Sequence, residues 1–312
     1  MGMPVLHSAA EWRAHFGEQR RPVVTTIGNF DGVHRGHQAI LRRVRERAAE
    51  AGALSAVLTF FPHPACVVRP ASAPHLIETL PQRLRDLEEQ GAEAVLVLRF
   101  DAETSRISAE DFARIFLAEA MRARSVLVGE NFRFGHRQEG DVKMLSGLGG
   151  RYGFEVGIVP PVEEDGVIIS SSGIRQAVRE GRVEDARKML GRPFALAGEI
   201  RPGTGVGSKL VVPTLNLATE QELLPQNGVY ATEAVVRGGV YRAATNIGTR
   251  PTFDGTRLAI ESHLLGFSGE LKDGPLEIRF HKRLREERKF PGAEELKAQV
   301  LRDVEEAEKY FG

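Results

Sequence analysis

The sequence predicts two domains, an α/β domain with a parallel sheet and then an antiparallel β-barrel that ends in a helix. Three observations lead to this prediction. The chain has 312 residues, which is enough for two domains of ordinary size. Short apolar runs alternate with helix-period segments up to about residue 190, and residue-by-residue alternation takes over afterwards. The pattern changes at Gly191-Arg192-Pro193, and we therefore expect domains at 1–188 and 189–312.

Strands and helices alternate in the first domain. Apolar runs rich in valine, isoleucine and leucine predict strands at 22–27, 53–60, 94–98, 125–128 and 155–159. Helical periodicity follows each of the first four, with segments at 40–51, 81–90, 108–121 and about 141–150. Strands of this composition, each followed by a helix, favour a parallel sheet covered on both faces. The crossovers between them are expected to be right-handed.

The second domain shows the pattern of an antiparallel barrel. Ile260 and Ser262 point to one side of a predicted strand and Glu261 to the other, and residues 276–280 repeat this alternation. Residues 237–240 (Arg-Gly-Gly-Val) predict a hairpin turn between two further strands. Short strands separated by Gly, Pro and Asn indicate a closed or nearly closed barrel. A terminal helix is predicted over about 293–310.

Composition narrows the function classes. Lys and Arg number 42, as do Asp and Glu, so the net charge is zero. The chain therefore lacks the overall positive charge that favours binding to nucleic acid or to an anionic membrane, although a local basic site stays open as an alternative. The single cysteine, Cys66, cannot form an internal disulfide or a thiolate zinc site. We see no secretory signal in residues 1–12 and no apolar run near the ~20 residues of a membrane span. We expect a cytoplasmic protein with small-molecule substrates and without an obligatory protein partner.

The sequence GNFDGVHRGH (28–37) lies between the first predicted strand and the first helix. Ligands of open α/β sheets bind beyond the carboxyl ends of strands, where helix N-termini offer N–H groups to phosphate. His34 and His37 are three residues apart, so in a first helical turn they point to the same side. Two imidazoles there can donate hydrogen bonds to charge that develops on a transferring phosphate. One alternative is that both are ordinary loop histidines. A zinc site is a weaker alternative, because the sequence shows no second cluster of His, Cys, Asp or Glu to supply the remaining ligands.

Other segments of the first domain follow the same logic. Ser170–Ser172 precede a helical pattern, and one of these serines is expected to cap that helix. The functional alternative places serine hydroxyls and Arg175 around nucleotide phosphates. Asn131, after the strand at 125–128, could hydrogen-bond a ligand, whereas Phe132 and Phe134 could equally belong to the core. In FFPHP (60–64) an aromatic ring could stack on a flat ligand, and His63 is more consistent with a structural role.

In chain order, GNFDGVHRGH (28–37), FFPHP (60–64), VGENFRFG (128–135) and ISSSGIR (169–175) resemble the adenylyltransferase domain of the bacterial bifunctional riboflavin kinase/FMN adenylyltransferase (FAD synthetase) family. The resemblance extends over essentially the whole chain and implies a Rossmann-like nucleotidyltransferase domain. It places Gly28, Phe30 and Asp31 in the nucleotide-binding signature, with His34 and His37 as catalytic residues. It also assigns ATP contacts to Asn131, Ser171, Ser172 and Arg175. Ser172 replaces a threonine that is common in the family and keeps the hydroxyl.

A second group of motifs lies in the predicted barrel. RPGTGVGSKLVVPTLNL (201–217) carries three alternating glycines, but it lacks the P-loop spacing, and a flexible hairpin is an even alternative. Thr214 and Asn216 present a hydroxyl and an amide oxygen, which suit Mg²⁺, although a plain turn explains them too. Glu261 leaves the apolar stripe of its strand. It could be an ordinary exposed glutamate or the base that removes a proton from an attacking hydroxyl.

Five segments of the barrel resemble the riboflavin kinase module of the same family: PTLN, GVYAT, NIGTRPTF, ESHLL and FHKRLREERKF. The resemblance implies that Thr214 and Asn216 hold Mg²⁺, and that Glu261 is the catalytic base. It places Arg285 and Phe290 where the family closes over flavin, and Gly203, Gly205 and Lys209 in the ATP loop. Ser208, Val211 and Val212 depart from the basic residue and Gly-Phe pair common in that loop.

The resemblance therefore implies that riboflavin and ATP give FMN, and that FMN and a second ATP give FAD and pyrophosphate, with Mg²⁺ serving both steps. One alternative is that only one of the two modules is active. Another is a flavin-binding regulatory protein, which the presence of both residue sets disfavours. A third is a nucleic-acid-related protein, because H-x-G-H also occurs in aminoacyl-tRNA synthetases; zero net charge disfavours this one.

Overall fold

A computed structural model of the chain describes residues 2–17, 21–201, 214–252, 255–267, 271–288 and 290–312. The chain divides into two compact units. The first contains residues up to 74 together with 80–169, and the second contains 75–79 together with 170–312. The division in the structure thus falls at 169/170, whereas the sequence patterns suggested 188/189. The predicted fold class is confirmed, with a parallel sheet in one unit and a closed barrel in the other.

The first unit is built on a six-stranded sheet in which every strand pair is parallel. Its strands, in chain order, are β1 (Val5–Leu6), β2 (Val23–Ile27), β3 (Leu54–Phe61), β4 (Ala94–Arg99), β5 (Ala123–Gly129) and β6 (Glu155–Val159). They stand in the order β1-β4-β3-β2-β5-β6. The chain moves from β2 outward in one direction and from β5 outward in the other. The loops after β2 and β5 therefore meet at the topological switch point, where open α/β sheets bind ligands.

Helices cover both faces of this sheet, as the apolar strands require. They are α1 (Ala9–Phe16), α2 (Arg35–Ala51), α3 (Pro64–Val68), α4 (Leu80–Glu89), α5 (Ala109–Phe112, continued by a π-helix over Ala113–Ala120) and α6 (Val142–Tyr152). One apolar cluster joins the sheet to α1, α5 and α6. Two others join it to α2 and α4. A short hairpin, β7 (Glu163–Glu164) and β8 (Val167–Ile168), ends the unit.

The second unit is a six-stranded closed barrel. Its strands are β9 (Phe194–Arg201), β10 (Thr214–Ala218), β11 (Gly228–Val236), β12 (Gly239–Thr252), β13 (Gly255–Leu264) and β14 (Pro275–Glu286). They close in the order β10-β13-β12-β11-β14-β9 with antiparallel pairing throughout. Arg237 and Gly238 both have positive φ (51° and 78°) between β11 and β12. This is the backbone that a two-residue hairpin turn needs, and it confirms the turn predicted at 237–240.

The barrel interior carries the apolar side chains of each strand, and two further helices complete its core. These are α7 (Ser171–Arg179) and α8 (Val183–Leu190). Ile174, Val178 and Val183 are fully buried in the same cluster as barrel residues such as Phe194 and Ile278. Sequence periodicity alone could not assign α7 and α8 to a unit, because an amphipathic helix fits either neighbour.

The terminal helix, α9 (Ala293–Phe311), packs on the outside of the barrel. Its last residues, Tyr310 and Phe311, lie beside His281 of β14, with ring centroids 6.2 and 5.3 Å from the imidazole. Burial lowers the pKa of His281 below its ordinary value of 6.5, despite a hydrogen bond to Glu233. Burial under the end of α9 thus favours the neutral imidazole.

Among the described residues, every helix is too short or too polar to cross a membrane.

We predict that a fragment of residues 170–312 is markedly more stable than one of residues 187–312. The shorter fragment loses three side chains that are 0% exposed, Ile174, Val178 and Val183. At about 1.5–3 kcal/mol for each buried aliphatic side chain, the difference should exceed about 4 kcal/mol. Urea unfolding of both fragments measures it. Since both lack residues 75–79, equal stabilities would show that α7 and α8 do not belong to the barrel core.

Candidate functional sites

The loop after β2 brings the two histidines of the H-x-G-H motif together. His34 is the N-cap of α2, and its Nδ1 accepts a hydrogen bond of 3.4 Å from the backbone N–H of His37. The two imidazole rings stack, with centroids 3.7 Å apart and planes inclined by 18°. The prediction that they share one side is confirmed. Because Nδ1 is an acceptor, the proton of neutral His34 lies on Nε2, where it can be donated to a phosphate oxygen.

An unusual backbone shapes this loop. Phe30, Gly32 and Val33 have φ values of 50°, 90° and 34°, and left-handed φ is rare for a bulky residue. The Phe30 ring is 1% exposed and lies 5.0 Å from the ring of His37. It also covers Gly28, where a Cβ atom would come within 3.1 Å of the ring. Phe30 and Gly28 thus support the loop from inside. Asp31 is buried as well, at 2% exposure.

The FFPHP segment joins the same edge of the sheet. His63 caps α3 through a 3.1 Å hydrogen bond from the Ala65 N–H to Nδ1, and its Nε2 lies 3.1 Å from the Asn29 side-chain amide. Thr59 also donates to the Asn29 carbonyl at 3.2 Å. His63 therefore ties two loops together, in agreement with the structural role predicted for it. Phe61 is 42% exposed and is the aromatic ring of this segment that a flat ligand could reach.

Asn131 follows β5, at the switch point, and its side chain is exposed. Phe132 and Phe134 pack on the core behind it, with their rings stacked at 5.4 Å. The alternative in which these two rings belong to the core is therefore the one observed.

Ser171, Ser172 and Arg175 lie in the second unit, on the first turns of α7. Ser170 is the N-cap, and its hydroxyl accepts a 3.2 Å hydrogen bond from the Gly173 N–H. The predicted serine cap is confirmed. Ser172 is exposed and Ser171 half-buried. Arg175 is only 9% exposed, and its Nε donates to the His75 carbonyl at 2.9 Å.

In the barrel, strand register places Glu261 in a row of residues that are polar except for the buried Val229. Glu261 stands opposite Asn216 of β10 and opposite Asn246 of β12. On the β10 side, the row continues from Asn216 to Arg201 of β9. On the β12 side, it continues from Asn246 to Val229 of β11 and then to Arg285 of β14. Side chains opposite each other on antiparallel strands have Cβ atoms about 5 Å apart. Glu261 is half-buried, and an asparagine stands opposite it on each neighbouring strand.

Thr214 and Asn216 are the residues that could hold Mg²⁺. They are two apart on β10, so both face outward, and both are half-buried. Their donors are a hydroxyl and an amide oxygen, which are hard ligands of the kind Mg²⁺ takes together with phosphate oxygens and water. The Thr214 and Asn216 side chains therefore suit a Mg²⁺ ion that binds as a complex with a nucleotide. Within the described ranges, we find no group of three His, Cys, Asp or Glu side chains that could hold a metal ion without help from a nucleotide.

Arg285 has a role that the sequence did not indicate. Its guanidinium forms a bidentate ion pair with Asp303 of α9, with Nε–Oδ1 at 2.8 Å and Nη2–Oδ2 at 2.7 Å. Gln299 donates to the same carboxylate at 2.8 Å. Phe290 lies between the guanidiniums of Arg285 and Arg288, 5.8 and 5.0 Å from its ring centroid. Arg285 thus fastens α9 to the end of β14, and its guanidinium lies over the ring of Phe290.

Sequence reasoning missed Asn246 and Glu287. Asn246 lies within the NIGTRPTF motif, and only the pairing of β12 with β13 shows that it flanks Glu261. The Glu287 carboxylate lies against Gly248, where a Cβ atom would overlap it, and accepts a 2.9 Å hydrogen bond from Asn227. Gly203, Gly205 and Lys209, with the departures at Ser208, Val211 and Val212, lie outside the described residues.

The fold and its two residue groups define a chain with a nucleotidyltransferase-type α/β domain and a flavokinase-type barrel. The sequence model of the FAD synthetase family matches residues 17–173, and that of the riboflavin kinase family matches residues 190–311. The chain belongs to the bifunctional riboflavin kinase/FMN adenylyltransferase family.

Relatives match over nearly the full length. The bifunctional riboflavin kinase/FMN adenylyltransferase of Escherichia coli (strain K12) is 37% identical over 290 residues, 93% of each chain. The protein of the same description from Pseudomonas fluorescens is 38% identical over 92% of each chain. A crystal structure described as a macrolide-efflux protein from Streptococcus pneumoniae superimposes with a TM-score of 0.87 at 28% identity, over 98% of both chains. It shares the whole architecture of this chain.

We predict that the Arg285–Asp303 pair is coupled. Breaking either partner of a largely buried pair leaves the other charge unpaired, so Arg285→Gln and Asp303→Asn should each lower the free energy of unfolding by about 3 kcal/mol. The double variant should lose little more than either single variant, and denaturant unfolding of all four proteins measures this. The exposed Arg114–Asp111 pair is the control and should show small, additive effects. Additive losses at 285 and 303 would contradict the coupling.

Proposed function

We propose that this chain phosphorylates riboflavin to FMN and then adenylylates FMN to FAD, consuming one ATP in each step. The observation that carries the proposal is the Asn216–Glu261–Asn246 row in the barrel, on a chain that also holds the stacked His34–His37 pair. Membership of the bifunctional family supports both activities. Both reactions consume ATP, and we propose a cytoplasmic location with small-molecule substrates as the partners.

In the kinase step, Glu261 acts as the general base. Its carboxylate takes the proton of the ribityl 5′-hydroxyl as the hydroxyl oxygen bonds to the γ-phosphorus of ATP, and ADP leaves with the electron pair of the broken P–O bond. Asn216 and Asn246 stand opposite Glu261 on the two neighbouring strands and flank it. Thr214 and Asn216 would hold Mg²⁺, which neutralises phosphate charge when bound. The half-buried setting of these residues limits water at the reacting atoms.

In the adenylyl-transfer step, a phosphate oxygen of FMN bonds to the α-phosphorus of ATP and pyrophosphate leaves. This reaction does not require proton removal from a hydroxyl, so the protein contributes mainly charge stabilisation and positioning. His34 and His37 donate hydrogen bonds to the oxygens on which charge develops, and the N-terminus of α2 adds backbone N–H groups and its dipole. Phe61 offers a surface for the flavin ring.

We predict that His34→Asn lowers FAD formation from FMN by about 10²–10³, since it removes a preorganised donor. Asparagine is a good N-cap, so α2 keeps its cap and the loss reports on the imidazole. Riboflavin phosphorylation should continue, and FMN should accumulate when riboflavin is supplied. Chromatography of the products measures both. Arg43→Gln, an exposed change on the same helix, is the control. FAD output at the wild-type rate from His34→Asn would remove His34 from the mechanism.

We predict that Glu261→Gln stops FMN formation from riboflavin but leaves FAD formation from FMN near wild type. The amide keeps the size and hydrogen-bonding capacity of the side chain, but it cannot accept a proton at neutral pH. Loss of a general base costs about 10²–10⁴ in rate. Separate assays with riboflavin and with FMN test this. Glu305→Gln, an exposed change on α9, should affect neither rate. Phosphorylation by Glu261→Gln at near wild-type speed would make Glu261 an ordinary surface residue.

A further inference from the structure

A pair of small residues lies beside Glu261 on the same face of the barrel. Residues two apart on a strand share a face, so Gly248 lies on the face of Asn246, and Ala259 on the face of Glu261. Gly248 and Ala259 stand opposite each other on β12 and β13, as Asn246 and Glu261 do. A glycine inside a strand often marks a place where another group approaches the backbone closely.

The Glu287 carboxylate takes the space that a side chain at position 248 would fill. A Cβ atom built on Gly248 would overlap Oε1 of Glu287, and it would lie 3.3 Å from Nδ2 of Asn246. The other carboxylate oxygen, Oε2, accepts a 2.9 Å hydrogen bond from the Asn227 side chain. Gly248 is buried, although Glu287 itself is exposed. A side chain that follows β14 thus rests on β12, next to the asparagine that flanks Glu261.

The residues after Glu287 carry an aromatic ring. Phe290 is half-buried, and the Arg288 guanidinium lies over its ring. Arg288 also donates a hydrogen bond to Gln299 of α9. The segment therefore has two attachments, one to the barrel through Glu287 and one to α9 through Arg288. Aromatic rings and guanidinium planes are surfaces on which a flat ring such as that of a flavin can stack.

We infer that Glu287 is a positioning residue for riboflavin phosphorylation, and that Gly248 is the seat that its carboxylate requires. Seated there, Glu287 holds the segment that carries Phe290 against the strand of Asn246. The flavin ring is then held while the ribityl hydroxyl reaches Glu261. The inference rests on the proposed kinase function and adds two residues to which the family resemblance gave no role.

Substitutions at position 287 test the contact by its effect on one substrate. Glu287→Ala should raise the KM for riboflavin at least fivefold, with the KM for ATP within twofold of wild type. Glu287→Gln should be close to wild type, because its amide oxygen can still accept the hydrogen bond from Asn227. FMN plus FAD is counted as product. Glu286→Ala is the matched control, since it removes the same charge from the neighbouring exposed glutamate and should change neither KM.

Gly248→Ala tests the seat without altering Glu287. The φ of Gly248 is not positive, and the atom that a methyl group would meet is the end of a flexible side chain. The barrel should therefore stay folded, which urea unfolding checks. The methyl group displaces the carboxylate, so the KM for riboflavin should rise as in Glu287→Ala. The double variant should be no worse than either single variant, because both changes break one contact.

Hydrogen exchange follows the contact itself and does not depend on activity. In the full chain without substrates, the backbone amides of residues 286–288 should exchange at least threefold faster in Glu287→Ala and in Gly248→Ala. Glu286→Ala should leave the exchange of residues 287 and 288 unchanged.

The outcomes separate the two proposals. The inference would be overturned by an unchanged KM for riboflavin in Glu287→Ala, by unchanged exchange, or by losses that multiply in the double variant. Equal losses in Glu287→Gln and Glu287→Ala would also overturn it, because the charge rather than the contact would then matter. Wild-type protein that fails to phosphorylate riboflavin would instead refute the proposed function, and the exchange experiment would still test the contact.

Discussion

Side chains that stand opposite each other on antiparallel strands share a face of the sheet, and closure of the barrel leaves no freedom to shift this register. The row that runs from Arg201 to Arg285 through Glu261 exists because of the register in which neighbouring strands pair, and the register shifts between β11 and β14 begin only after Val229. A slip of one residue would turn Glu261 into the apolar interior and bring Ile260 out. The kinase chemistry that we propose therefore depends on the same pairing that holds the barrel core together.

The two units position their functional groups by different physical means. In the barrel, regular strands space Thr214, Asn216 and Glu261 without strain. In the α/β unit, the site lies in a loop with positive φ at Phe30 and Val33, which a buried phenylalanine and the first turn of α2 hold in place. Strained backbone is common where a site must be preorganised. The loop ends at His34, and the first turn of α2 then brings His37 to the same side, where the two imidazoles stack.

Prediction from the sequence succeeded where the signal is local. Periodicity gave the parallel strands and the terminal helix, and the Gly-Gly pair marked the turn at 237–240, where Gly238 has positive φ. Contacts distant in sequence were not predictable in this way. Asn246 became a neighbour of Glu261 only through β12–β13 pairing, and Arg285 carried no sign of its partner Asp303. Residues 75–79 look like an ordinary loop before α4, since their partner Gln221 lies 144 residues further on.

That separation has a consequence during synthesis. At translation rates of about 5–20 residues per second, Ile77 leaves the ribosome roughly 7–30 s before Gln221 can cover it. The α/β unit can condense in that interval, since its last residue is 169. During that interval the apolar side chain of Ile77 remains exposed to water beside the folded α/β unit. Burial of Ile77 is therefore completed only after the strands of the barrel have been made.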